Sequence, residues 1–203
     1  MNKKLKNYSA LAIGMAAVLP TACKKEKDND STIDERTLNK TIGFSTTVGF
    51  VEDSIDVNLD GVFDLVFGVG KDSYEGVSSS YFYMASANNN KNDILSEIIE
   101  IPDEGFYPFV KTLSSGTTVA PESNVWVDFG YCAYFASGSY GFNLGNVKAG
   151  SGDKYIGFRF ADKSNAIHYG WALINYASDA KSVVVKELAY KKDSNVAINV
   201  GDK

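Results

Sequence analysis

The sequence predicts an all-β fold, a single antiparallel β-sandwich of jelly-roll type, and three observations carry that prediction. From about Thr37 onward, short runs of β-branched and aromatic residues alternate with turn residues every eight to fifteen positions. Some runs alternate strictly, with Ile156, Phe158 and Phe160 on one face and Leu65, Phe67 and Val69 on another, which is the period of two that a half-buried strand requires. No long stretch repeats with the helical period. Only residues 94–101, with Ile94, Leu95, Ile98, Ile99 and Ile101, have spacing compatible with a helix, and they read equally as a strand.

In chain order, residues 1–22 form an address. Lys3, Lys4 and Lys6 precede a short apolar run over residues 10–19, too short to span a bilayer, and Leu19-Pro20-Thr21-Ala22-Cys23 follows. This segment resembles a bacterial lipobox, with Pro20 where leucine is usual, and implies lipidation at Cys23. An ordinary secretory signal ending near a Cys is the alternative. Residues 23–37 begin Cys-Lys-Lys-Glu-Lys-Asp-Asn-Asp, without an apolar side chain to pack, and are expected to be a flexible charged tether. The pattern resembles lipoproteins of Bacteroidota, in which such a stretch directs export to the outer face of the outer membrane. The expected location is therefore the outer membrane, through a lipid anchor.

Residues 38–203 are expected to form the sandwich. Its strands are anticipated at 41–50, 54–57, 65–69, 79–87, 106–113, 117–120, 125–136, 154–160, 168–177 and 182–190, in an architecture of eight to eleven strands. Loops are marked by Asn88 to Asn92 and by the glycine-rich run 138–152. The chain has 203 residues, 44% hydrophobic and 22% charged, an ordinary balance for one domain. Loss of residues 1–22 leaves 17 basic against 25 acidic side chains, a net charge of -8, which disfavours nucleic acid as a partner. One histidine, His168, excludes a metal site built on several; two cysteines exclude a zinc ribbon. With Cys23 lipidated, Cys132 is expected to be a buried strand thiol.

The segment Asp56-Val57-Asn58-Leu59-Asp60-Gly61-Val62-Phe63-Asp64 has the one spacing that reads as chemistry. Oxygen side chains fall at positions 1, 3, 5 and 9, glycine at position 6, and the Val62 carbonyl where a backbone ligand belongs. Calcium takes six to eight hard oxygens, so a structural Ca²⁺ site formed by Asp56, Asn58, Asp60, Val62 and Asp64 is expected. Phe67 stands where an EF-hand would carry its bidentate glutamate. An ion-free Asx-rich turn has the same composition.

Later segments, Tyr155-Ile156-Gly157-Phe158-Arg159-Phe160, His168-Tyr169-Gly170-Trp171 and Glu187-Leu188-Ala189-Tyr190 with Gly201, resemble a set of uncharacterised secreted β-sandwich lipoproteins of Bacteroidota that combine an Asp-x-Asn-x-Asp-Gly hairpin with a Tyr-Gly-Trp segment. The resemblance implies a sandwich fold and a surface location, and no activity. Read physically, Trp171 anchors a core and Gly170 admits a neighbouring ring; the functional alternative makes Tyr169 and Trp171 a sugar-stacking platform. His168 is expected to be structural, and Arg159 to pair with a carboxylate. Glu97, Glu100, Asp103 and Glu104 cluster in sequence, and Ser78 to Ser80 lack a nucleophile elbow. The expected function is a non-catalytic binding or adhesion module for a glycan or surface protein. The alternative is a polysaccharide hydrolase or lyase with two carboxylates across a cleft.

Overall fold

Alternating β-branched and aromatic residues need partners for both their backbone and their apolar face, and one large sheet supplies both. A computed structural model describes residues 32–87, 92–101, 104–123, 125–137 and 141–203. The signal segment, Cys23 and the charged stretch after it lie outside the described residues. The first strands are β1 (Ile33–Gly43), β2 (Gly49–Ile55), β3 (Leu65–Tyr74), β4 (Val77–Ser86), β5 (Asp93–Ile101), β6 (Gly105–Val110) and β7 (Thr112–Leu113). The rest are β8 (Thr118–Val119), β9 (Val125–Val127), β10 (Phe129–Ala136), β11 (Asn143–Leu144), β12 (Asp153–Ala161), β13 (Ile167–Tyr176), β14 (Ser182–Lys191) and β15 (Ile198–Asn199). No helix occurs among the described residues.

Thirteen strands form one sheet whose main path is β1-β14-β13-β12-β5-β6-β10-β4-β3-β2, with β7 beside β12, β9 beside β5 and β11 beside β10. Pairing is antiparallel except between β10 and β6. The two layers are thus halves of a single rolled sheet. Its ends, β1 and β2, meet through side chains rather than a backbone ladder. Arg36 Nη1 donates to the carbonyls of Asp56 at 2.6 Å and Val57 at 2.8 Å, and Lys40 Nζ donates to that of Ser54 at 3.1 Å. Inside the roll lies the main core, with Phe67, Phe82, Ile94, Cys132, Ile156, Phe158 and Val185 fully buried.

The tether prediction for residues 23–37 ends too late. Residues 33–37 are already in β1, where Thr37 pairs with Glu187 and Ile33 with Lys191. Polar residues are tolerated there because β1 is a terminal strand of the sheet, with Leu38 and Ile42 contributing to the main core and Ile33 to the smaller one. The anticipated strand 41–50 is really two, separated by a turn at 44–48. Residues 94–101 are strand throughout.

A second, smaller core covers the opposite face of β12, β13 and β14. The two-stranded sheet β15-β8 lies over it, so Val119, Ile198 and Val200 meet Tyr169, Trp171 and Ala189. Gly170 makes room on the other side: a Cβ there would stand 2.5 Å from Cζ of Phe158.

Candidate functional site

On the outer face of β2, β3 and β4, aromatic rings lie across glycines. Gly68 pairs with Tyr83 and Gly70 with Tyr81, and a Cβ at either glycine would fall 2.3 or 2.2 Å from Cζ of the paired tyrosine. Each ring therefore occupies the space of the missing side chain and lies over the neighbouring strand, the arrangement by which aromatics cover sheet glycines. Phe50 of β2, 53% exposed, completes the group. Its ring is 6.3 Å from Tyr83 at 19°, and Tyr81 is 6.4 Å from Tyr83 at 21°. Rings this nearly parallel and this far apart are offset tiles rather than a face-to-face stack.

The tiling continues onto β10. Tyr83 meets Phe129 at 5.0 Å, Phe129 meets Tyr131 at 5.0 Å, and Tyr131 meets both Tyr134 at 5.8 Å and Phe109 of β6 at 6.0 Å. Tyr131 and Tyr134 are three residues apart and would face opposite ways in a regular strand. The register shift between Tyr131 and Ala133 inserts Cys132 as an extra residue and returns Tyr134 to the tyrosine face. From β2 to β6 the strip crosses five strands, roughly 20 Å. Beyond it, Tyr107, Phe109, Tyr131, Tyr134 and Leu144 line a cleft of about 200 Å³. Polar groups edge the strip: the Tyr83 hydroxyl donates to Glu52 Oε1. Burial raises the Tyr81 hydroxyl, with Asp72 and Glu52 adding to it, and burial raises that of Tyr131, so both stay protonated donors at neutral pH.

The Asp56–Asp64 segment is the β2–β3 hairpin loop. Asp56 accepts from the amides of Asp60 at 3.2 Å and Gly61 at 2.7 Å, Asn58 from Asp60 N at 3.1 Å, and Asp60 from Val62 N at 2.8 Å. Leu59 and Gly61 take positive φ, 59° and 88°, a conformation natural for glycine and strained for leucine. Lys163 donates to the Asp60 carbonyl. Asp64 lies beneath the loop, 2% exposed, accepting from Val57 N at 2.8 Å and flanked by Asn92. Burial, then repulsion from Asp56 and Asp60, raises its carboxyl to about 7 despite the Val57 bond. The donor set is chemically suited to calcium, and each bonded carboxylate keeps free lone pairs. In this conformation, however, no group of three or more His, Cys, Asp or Glu among the described residues converges closely enough to hold a metal ion. The loop closes on its own amides.

The remaining predicted residues resolve individually. Tyr169 is 3% and Trp171 0% exposed, beneath β8 and β15. They therefore cannot serve as a sugar-stacking platform in this fold; the small sheet that the sequence did not reveal covers them. Trp171 is the core anchor, edge-on to Tyr155 at 5.4 Å. His168 is buried, Nδ1 2.9 Å from the Lys191 carbonyl and Nε2 3.3 Å from Asp162. Arg159 is bonded to Asp93 and lies 4.9 Å over the Trp126 ring. Cys132 is a core thiol, raised well above its ordinary pKa by burial. Glu97 and Glu100 lie three apart on β5, hence on opposite faces, and Asp103 lies outside the described residues. Sequence reasoning missed the tyrosine face and Asn92, a buried brace that donates to the Asp64 carbonyl and accepts from Ala161 N. Gly68 and Gly70 facing a Tyr-x-Tyr run were the available signal. Comparison of the chain with protein-family models, curated proteins and solved structures finds no match.

Proposed function

We propose that this chain is a non-catalytic binding module, held at the outer membrane by lipid on Cys23, with the strip from Phe50 to Tyr134 as its ligand surface. The observation that carries the reading is the tiling of Phe50, Tyr81 and Tyr83 over Gly68 and Gly70. Offset rings, with Phe50 exposed, Tyr81 partly exposed and Tyr83 nearly buried beneath them, edged by hydroxyls and Glu52, suit a saccharide, whose C–H faces pack on the accessible rings while its hydroxyls take hydrogen bonds at the ring edges. A protein ligand is the competing occupant; the preponderance of tyrosine and the shallow face favour the glycan. Calcium, held through Asp56, Asn58, Asp60, the Val62 carbonyl and Asp64, would fasten the hairpin that carries Phe50 and perform no chemistry. A glycan screen of the purified chain, with calcium present, tests the reading. Wild type is expected to retain one or more oligosaccharides and Phe50→Ala to lose about tenfold in affinity, ~1.4 kcal/mol. Retention of none, or equal retention by the variant, overturns it.

A further inference from the structure

A further concavity, apart from the aromatic cleft, is lined by more cations than anions. A cavity of about 440 Å³ opens at the end of the roll where the β3–β4 hairpin, the end of β10 and the β13–β14 turn meet. Lys71 from β3, Lys148 from the loop after β11, and Lys181 from the β13–β14 turn all line it, against one carboxylate, Asp179. In a chain with more acidic than basic residues, three cations from three separate segments are a local reversal of sign. Elsewhere Lys40 pairs with Asp53, Lys186 with Asp153, and Lys203 with Glu35 and Glu187, whereas Lys163 and Lys191 bond to neutral oxygens. Among the described residues, Lys71, Lys148 and Lys181 have no carboxylate partner. The turn holding Lys181 is fixed by its own backbone, since Lys181 N donates to Asp179 Oδ1 at 3.1 Å and its carbonyl accepts from Phe44 N at 3.1 Å. The buried hydroxyls of Ser80 and Tyr176 lie at the cavity wall. Lysines around a polar pocket of this size recognise an oxyanion.

Tyr134 lines both this cavity and the aromatic cleft, so one ligand can reach both. We propose that the lysine-lined cavity takes the carboxylate or sulfate group of an acidic saccharide chain whose neighbouring residues pack on the tyrosine face. The proposal rests on the saccharide reading of that face and names the class of glycan.

Isothermal titration tests it with four probes: a galacturonate hexamer, a sulfated hexamer, a neutral cellohexaose and inorganic sulfate. Each is run against wild type and against the Lys148→Gln/Lys181→Gln double variant, whose folding is checked by its melting temperature. One of the two acidic hexamers is expected to bind wild type at least about tenfold more tightly than the neutral one, with that margin shrinking as salt is raised. Which acidic hexamer it is separates carboxylate from sulfate. The double variant is expected to lose the margin and keep the neutral affinity. Equal binding of acidic and neutral hexamers, or a margin that survives in the double variant, overturns the cavity assignment while leaving the tyrosine face intact. Binding of sulfate alone, lost in the double variant, overturns the saccharide ligand and the reading of the face with it.

Discussion

Asp64→Asn separates the two accounts of the hairpin loop because they predict opposite signs. Asp64 is 2% exposed and its carboxyl stands at about 7, against 3.8 for the free group, chiefly through burial and secondarily through Asp56 and Asp60. The folded chain therefore holds a proton that the unfolded chain releases over that interval. The contribution of Asp64 to folding stability is greatest below about pH 4 and falls as pH rises toward 7, where it is exhausted. Three pH units at 1.36 kcal/mol each set a ceiling of ~4 kcal/mol, and relaxation of the site brings the expected loss to ~2–3 kcal/mol. Asparagine carries no charge and keeps one acceptor for Val57 N. In EDTA, urea denaturation at pH 5 and pH 8 should show the variant gaining on wild type by about two-thirds of that amount, since only the part of the interval from pH 5 to 7 falls between the two. Calcium inverts the comparison, because its ligands must be deprotonated. At several millimolar it should stabilise wild type at pH 8 by ~1–2 kcal/mol if the site binds in the millimolar range typical of extracellular modules, and the variant by less. A variant-minus-wild-type difference independent of pH in EDTA would refute the buried-carboxylate argument. Absence of any calcium effect in metal-free protein would leave the loop a turn closed by its own amides.

Three further outcomes follow from the packing. Gly70→Ala places a methyl group 2.2 Å from Cζ of Tyr81, so the ring must lift; a cost of ~1–3 kcal/mol is expected in denaturant titrations, together with loss of saccharide binding. Arg36→Ala removes two bonds to the Asp56 and Val57 carbonyls at the junction of β1 and β2; ~1.5–3 kcal/mol should be lost, with hydrogen exchange rising first in β1. Cys132, fully buried with its thiol raised by burial, should react with a thiol reagent only at the rate of unfolding, and rapid labelling of native protein would contradict its placement in the core.

Much of the fold was legible where a strand buries one face. Ile156, Phe158 and Phe160, or Leu65, Phe67 and Val69, alternate because the other face meets something different, and these strands form where the pattern puts them. β1 was illegible beyond its C-terminal half, since Asp34, Glu35 and Arg36 carry no apolar signal and are strand only because β14 offers them a ladder. Trp171 was legible as a core anchor, but the sheet that covers it was not: β8 was anticipated within 117–120, whereas its partner β15, two residues long and about 80 positions away, was not. The tyrosine face depended on non-local facts of the same kind. Tyr81, Phe82 and Tyr83 announce a strand, whereas their outward side is set by Gly68 and Gly70 on the next strand and by the irregularity at Cys132. The calcium spacing is visible in sequence because loop ligands are local, and the buried setting of Asp64 is not, because Asn92 supplies part of it from a distance.

The central claim is that the rings from Phe50 to Tyr134 form a ligand-binding face. Its most direct test is the affinity of one screened oligosaccharide, by isothermal titration, for wild type and for Phe50→Ala/Tyr81→Ala at matched melting temperature. The account predicts a loss of tenfold or more in the double variant. Binding that is undiminished in a folded double variant would contradict it.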